Sequence, residues 1–253
     1  MASAPRSGSR TGASADDRAA AADDDRSTRP PRERAADGRV RGDRRGADAA
    51  DKRRHILDAA VRVFARQGFN ACRVSDVADE AGVAYGLVYH YFDSKEEILD
   101  TLFVERWQLM LDAIEAIDAG EASGREKLYA VASFIIDSYR YSPDVMKVII
   151  VEVTRAAHSF GRQHLDQIRT AYDRIARIVE AARGDGQFKP DISPDFVALC
   201  FYGAIEQLLS GWIFGSLPAT GEEFERAKEL VVETICGGIE APSTTRSGLL
   251  PPQ

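Results

Sequence analysis

The stretch RVSDVADEAGVAYGLVYHYF, Arg73 to Phe92, constrains this chain more than any other. Val74, Val77, Ala78 and Ala81 recur at the spacing of one helix face, Gly82 interrupts the pattern, and a second short run opens at Tyr85. Two short helices joined by a tight glycine turn describe a helix-turn-helix. Val77, Val83, Val88 and Phe92 are placed to lock these helices to the one before. That leaves Tyr85, Gly86, Tyr89, His90 and Tyr91 towards the outer side, where a recognition helix meets a major groove. Rings there can touch thymine methyls and sugars, and hydroxyls can reach phosphate oxygens. The competing reading is a short buried helix whose aromatics fill a core.

The remaining pattern is helical almost throughout, and the fold class it predicts is all-α: an N-terminal three-helix helix-turn-helix domain and a larger C-terminal helical domain for ligand binding and dimerisation. Ile56, Ala60, Val63 and Phe64 mark a first helix after the basic start KRRH, with Gly68 where it stops. Asp93 and Ser94 cap a long helix ending near Ile117, with Lys95, Glu96 and Glu97 in its first turn. Further helices are expected at about 124–140, 143–157, 161–183, 194–214 and 221–238. VIIVEV, Val148 to Val153, has strand propensity, but Ser142, Pro143 and the Ala-rich exit favour a helix buried on several faces. The expected boundaries are a disordered tail over 1–50, the helix-turn-helix domain over 51–100, the ligand and dimer domain over 101–240 and a second tail over 241–253.

The tail reading follows from composition, because residues 1–50 hold no Leu, Ile, Phe, Trp or Tyr and cannot offset the entropy of ordering. The formal net charge of -7 argues against a protein that coats nucleic acid generally, but permits a few cations on one face. Lys52, Arg53 and Arg73 are candidates for phosphate contact. Cys72, Cys200 and Cys236 show no metal or disulfide spacing. No run reads as a signal peptide or as the roughly 18 apolar residues of a membrane span, so the expected location is cytoplasmic with no membrane partner. A phosphate loop after a strand, a nucleophile elbow and an HExxH pair are all missing, and an enzyme is not expected.

The span Ile56 to Phe103, ILDAAVRVFARQGFNACRVSDVADEAGVAYGLVYHYFDSKEEILDTLF, resembles the N-terminal domain of TetR-family transcriptional regulators. Helix one ending in F-x-x-x-G-F, the AGV turn, the Y-x-Y-F run and the following S-K-E-E-I occur together at the family's spacing. The resemblance implies that Tyr85 and Gly86 approach base edges, that Tyr89 and His90 contact backbone or base methyls, and that Lys95 grips a phosphate. Arg73 and Ala84 depart from the Thr and Ser common there, so the operator register cannot be copied from relatives. Leu87, at a position usually Thr or Ser, either reads a thymine methyl or packs.

The same resemblance implies a repressor that binds a palindromic double-stranded DNA operator as a homodimer through its last two helices. It needs no cofactor and answers to a small-molecule effector. Along those helices Phe196, Cys200, Gly203, Gln207 and Gly211 share one face, and Phe224, Ala227, Val231 and Ile235 share another, with an intramolecular core as the alternative. The stretch VEVTRAAHSFGRQHLDQI with FYGAIEQLLSGWIFG is similar to the FadR-type branch, which responds to long-chain acyl-coenzyme A. On that reading Phe134, Tyr139, Met146, Ile149, Phe201, Leu208 and Trp212 line an apolar cavity, Arg155, His158 and Arg162 sit near a phosphorylated headgroup, and Glu206 is a carboxylate inside an apolar helix. A regulator of efflux or another gene answering to a different hydrophobic molecule, and a helical ligand-binding dimer without DNA binding, remain the alternatives.

Overall fold

The computed structural model describes residues 37–153 and 162–239, with side chains for 48–151 and 165–239. The chain divides into two units, Met1–Arg45 and Gly46–Gln253. The helices are α1 (Asp37–Gln67), α2 (Val74–Ala81), α3 (Tyr85–Tyr91), α4 (Lys95–Asp118), α5 (Gly124–Tyr141), α6 (Pro143–Lys147), a π-helical segment (Val148–Val153), α7 (Arg162–Gly184), α8 (Pro194–Ile213) and α9 (Gly221–Ile239). Among the described residues there is no strand.

One boundary differs from expectation: α1 begins at Asp37, not near Asp51. Residues 37–50 carry no large apolar side chain, which is why they read as unstructured. Ala and Arg are nevertheless good helix formers, and extending a helix from a formed nucleus needs no burial of its own. The α4 start matches its sequence signal, since Ser94 Oγ accepts from the Glu97 N–H at 3.1 Å and the Glu97 carboxylate accepts from the Asp93 N–H. Ser94→Ala is expected to cost about 1 kcal/mol of stability, read as a shift of the urea midpoint at constant slope.

Two apolar clusters organise the second unit. In the head, Ile56, Val63 and Phe64 of α1, Val77 of α2, Val88 of α3, Phe92, and Ile98 and Leu99 of α4 are buried together. In the body, the rest of α4 packs with α5, α7, α8 and α9 around Ile114, Leu128, Ile136, Ile175, Val179, Phe201 and Ile205. Leu165 of α7 is exposed, whereas Ile175 and Val179 are fully buried. The α4 helix belongs to both clusters, as does the short stretch after Pro143: Val148 is buried in the head, Ile149 in the body, and Val145 packs against both.

VIIVEV is helical, but π rather than α. Consecutive β-branched residues crowd an α turn, and the wider π turn lets adjacent side chains diverge.

The last two helices pack into the body core. The α8 helix is long and apolar enough by length and composition to cross a membrane, with a window of mean hydropathy 1.4. Its Val197, Ala198, Phe201, Ile205, Leu209 and Trp212 are buried in the body core. A Cβ at Gly211 would lie 2.6 Å from Leu217 Cδ1, so the glycine makes room for the chain folding back after α8. The α9 stripe of Phe224, Ala227 and Val231 faces the chain's own core, where Phe224 meets Trp212 edge-on at 4.8 Å.

Candidate functional site

Gly82 shapes the reading head. It adopts φ 63°, which favours glycine, and its N–H and that of Val83 donate to Asp79 O at 3.1 Å and Ala78 O at 3.0 Å. From the α1 side, His55 Nε2 lies 2.9 Å from Ala81 O, and Arg62 and Arg66 hold Glu80 at 2.6 and 3.1 Å. The turn and α2 are thereby fixed to α1, and α3 follows with Val88 fully buried.

The outer side of α3 carries a preformed pair. Tyr85 and Tyr89 are 53% and 42% exposed, their rings meet edge-on at 5.0 Å, and their hydroxyls share a hydrogen bond at 3.1 Å. That hydrogen bond raises the Tyr89 phenol above its usual range, so Tyr89 stays neutral. Ala84, Gly86 and His90 are exposed and Leu87 is half-buried. Tyr91, expected outward, instead packs partly against the head core, with His90 edge-on at 5.1 Å. A Cβ on Gly86 would meet nothing within 4 Å. Glycine inside a helix costs roughly 0.5–1 kcal/mol, and nothing internal requires it here.

The candidate cations divide into outward-facing and committed. Lys52 and Arg73 are exposed, and the Arg73 backbone N–H donates to Asp76 Oδ2 at 2.7 Å. Arg53 pairs with Glu105 at 2.8 Å and lies over the Phe92 ring at 5.1 Å. Lys95 is turned inward, where its Nζ donates to Phe69 O at 2.6 Å and Cys72 O at 3.0 Å and sits 4.4 Å from the Phe69 ring centre. The carbonyls ending the α1–α2 loop compete for this ammonium with any phosphate.

In the body, an apolar cavity of about 270 Å³ is lined from α4 by Arg106, Trp107, Leu109 and Met110, from α5 by Phe134, Ile135 and Ser138, from the following stretch by Ser142, Val145, Met146, Ile149 and Ile150, and from α8 by Tyr202. Of the sequence candidates, Phe134, Met146 and Ile149 line it. Tyr139 and Trp212 do not, because they stack on each other at 5.7 Å in the core; Phe201 is also fully buried there. Leu208 lines a shallow groove between α8 and α9 with Gln207, Leu230 and Thr234. Near that groove Phe196 and Leu199 are 65% and 52% exposed, and Cys200 is exposed. Arg155, His158 and the side chain of Arg162 lie outside the described residues.

Glu206 stands one turn beyond Tyr202 on α8, and burial raises its carboxyl above the usual range. Burial, and then the Glu206 charge, raise the Tyr202 phenol far out of its range. Arg106 and Tyr202 were missed as lining residues. Arg106 had a signal, since it falls on the stripe of Leu102, Phe103, Trp107 and Met110 where spacing calls for an apolar side chain.

Residues 56–102 match the family described as bacterial regulatory proteins, tetR family, and residues 125–235 match the tetracyclin repressor-like, C-terminal domain. The chain is 30% identical over 159 residues to the fatty acid metabolism regulator protein of Bacillus subtilis (strain 168), covering 62% of this chain and 81% of that protein. It is 28% identical over 142 residues to the HTH-type transcriptional repressor KstR2 of Rhodococcus jostii (strain RHA1), covering 56% and 70%. The crystal structure of the transcriptional regulator FadR from Bacillus subtilis in complex with stearoyl-CoA superimposes with a TM-score of 0.65 at 25% identity, over 74% of this chain and 98% of that one.

Proposed function

Because the chain belongs to the TetR family of bacterial regulatory proteins, we propose that it is a repressor that binds a palindromic operator as a homodimer and is released by long-chain acyl-coenzyme A, controlling genes of fatty-acid metabolism in the cytoplasm. The observation that carries the effector half is the apolar cavity walled by α4, the helix that also fills the head core. Its volume, about 270 Å³, is just below the 300–1,000 Å³ typical of ligand pockets. It suits an apolar chain with the nucleotide held outside. The relative crystallised with stearoyl-CoA supports the same ligand class.

The DNA half rests on Tyr85 and Tyr89, held as an exposed pair on α3, with Gly86 between them offering a surface without a side chain. Lys52 and Arg73 supply the phosphate contacts, and the exposed apolar residues along α8 and α9 supply the dimer face. A twofold dimer would then hold its recognition helices about 34–36 Å apart.

Selection from random duplex DNA, with and without palmitoyl-CoA, tests both halves. A palindrome recovered only without palmitoyl-CoA is expected. A palindrome recovered equally well with it would remove the acyl-CoA assignment, and no enriched sequence would remove the operator claim. Tyr89→Ala should weaken binding to the selected site about tenfold, roughly 1.4 kcal/mol, without moving the elution volume of the dimer. Because phosphate contacts release counterions, log affinity should fall with log salt by about 0.9 per neutralised phosphate. A flat titration would count against DNA binding.

A further inference from the structure

We infer that Arg106 receives the anionic group of the effector and ties recognition of that group to α4. The inference rests on the proposed reading that the cavity is the effector site.

The polar groups around the cavity are few, and two of them are spent. Ser138 Oγ donates to Phe134 O at 2.7 Å, and Trp107 Nε1 donates to Gln167 O at 2.8 Å. Arg106 makes no ion pair or hydrogen bond among the described residues. The other half-buried arginines with described side chains behave differently: Arg53, Arg125, Arg174 and Arg183 each hold a carboxylate. A guanidinium carries a permanent charge and a fork of donors matched to carboxylate or phosphate oxygens. Half-burying one in an apolar wall without a partner is costly, and the position on the α4 stripe would be better filled by an aliphatic side chain for packing alone. A ligand anion supplies the missing partner.

Arg106 is the one formally charged side chain among the cavity's described lining residues, which orients an anionic amphiphile with its head there. Next to Arg106 along the chain, Glu105 holds Arg53 of α1, so a pull on this part of α4 reaches the reading head directly.

Carboxylate and phosphate share this chemistry, and the test separates them. Binding of palmitoyl-CoA, palmitate and methyl palmitate, each below its micelle concentration, is followed by tryptophan fluorescence for the unaltered protein, Arg106→Gln and Arg106→Lys. Palmitoyl-CoA should bind the unaltered protein at least tenfold more tightly than methyl palmitate. Arg106→Gln should remove that preference, leave methyl palmitate within twofold and keep the thermal midpoint, while Arg106→Lys should restore part of the preference. If palmitate loses affinity with palmitoyl-CoA, Arg106 accepts a carboxylate as readily; if palmitoyl-CoA alone loses it, the phosphates are the partner. Equal loss for all three probes, or no preference in the unaltered protein, would overturn the inference and leave the cavity reading standing. Failure of every probe to bind the unaltered protein would overturn both.

Discussion

Lys95→Met is expected to destabilise the protein by about 3 kcal/mol, because it removes two charge-assisted hydrogen bonds and a cation–π interaction at once. The substitution keeps the length and apolar stem of the side chain, so the change reports the ammonium. Phe69 O retains the Cys72 Sγ donor at 3.2 Å, which softens the penalty at that carbonyl. Urea unfolding reads the effect as a lower midpoint at unchanged slope. The expectation reverses the role implied by family resemblance, in which Lys95 grips a phosphate. If operator affinity fell while the midpoint stayed put, the phosphate role would be correct. Arg73→Ala provides the contrast, since its exposed side chain makes no ion pair among the described residues: operator affinity should fall and the midpoint should hold.

What could be read from the chain divides along a physical line. The helix-turn-helix was legible because its determinants are local: a 3.6-residue period, Gly82 at a left-handed turn and Ser94 at a cap all act within a few residues. The start of α1 was not legible, because helix propagation leaves no apolar signature. Tyr139, Phe201 and Trp212 lie in the core and not along the cavity, because an aromatic on a buried stripe fits either site and only the neighbouring helices decide. Leu208 shows the same limit from the other side, since its groove faces outward. The π segment is a third case: its β-branched run is compatible with strand, α-helix or π-helix until the head and body cores each claim one of its side chains.

That division of side chains makes Val148→Ala informative. Val148 is 1% exposed within the head core, while its neighbours Ile149 and Ile150 line the cavity, and Val145 touches both cores and the cavity. A ligand that displaces Ile149 and Ile150 thus moves a segment plugged directly into the reading head. Coupling between two sites requires that the ligand favour one of two arrangements, and such couplings typically reach 5- to 150-fold. Removing the plug should leave palmitoyl-CoA binding within twofold and the ligand-free operator affinity nearly unchanged, at a stability cost of about 1–2 kcal/mol. The ratio of operator affinities without and with ligand should fall from roughly 100-fold to below about 5-fold, a decrease near 2 kcal/mol of coupling. Reciprocity gives an independent check, because the operator must then weaken ligand binding by the same reduced factor. A ratio that survived Val148→Ala would assign the transmission to α4 alone, through Arg106 and the Glu105–Arg53 pair, and Arg106→Gln would then be the substitution that abolishes release.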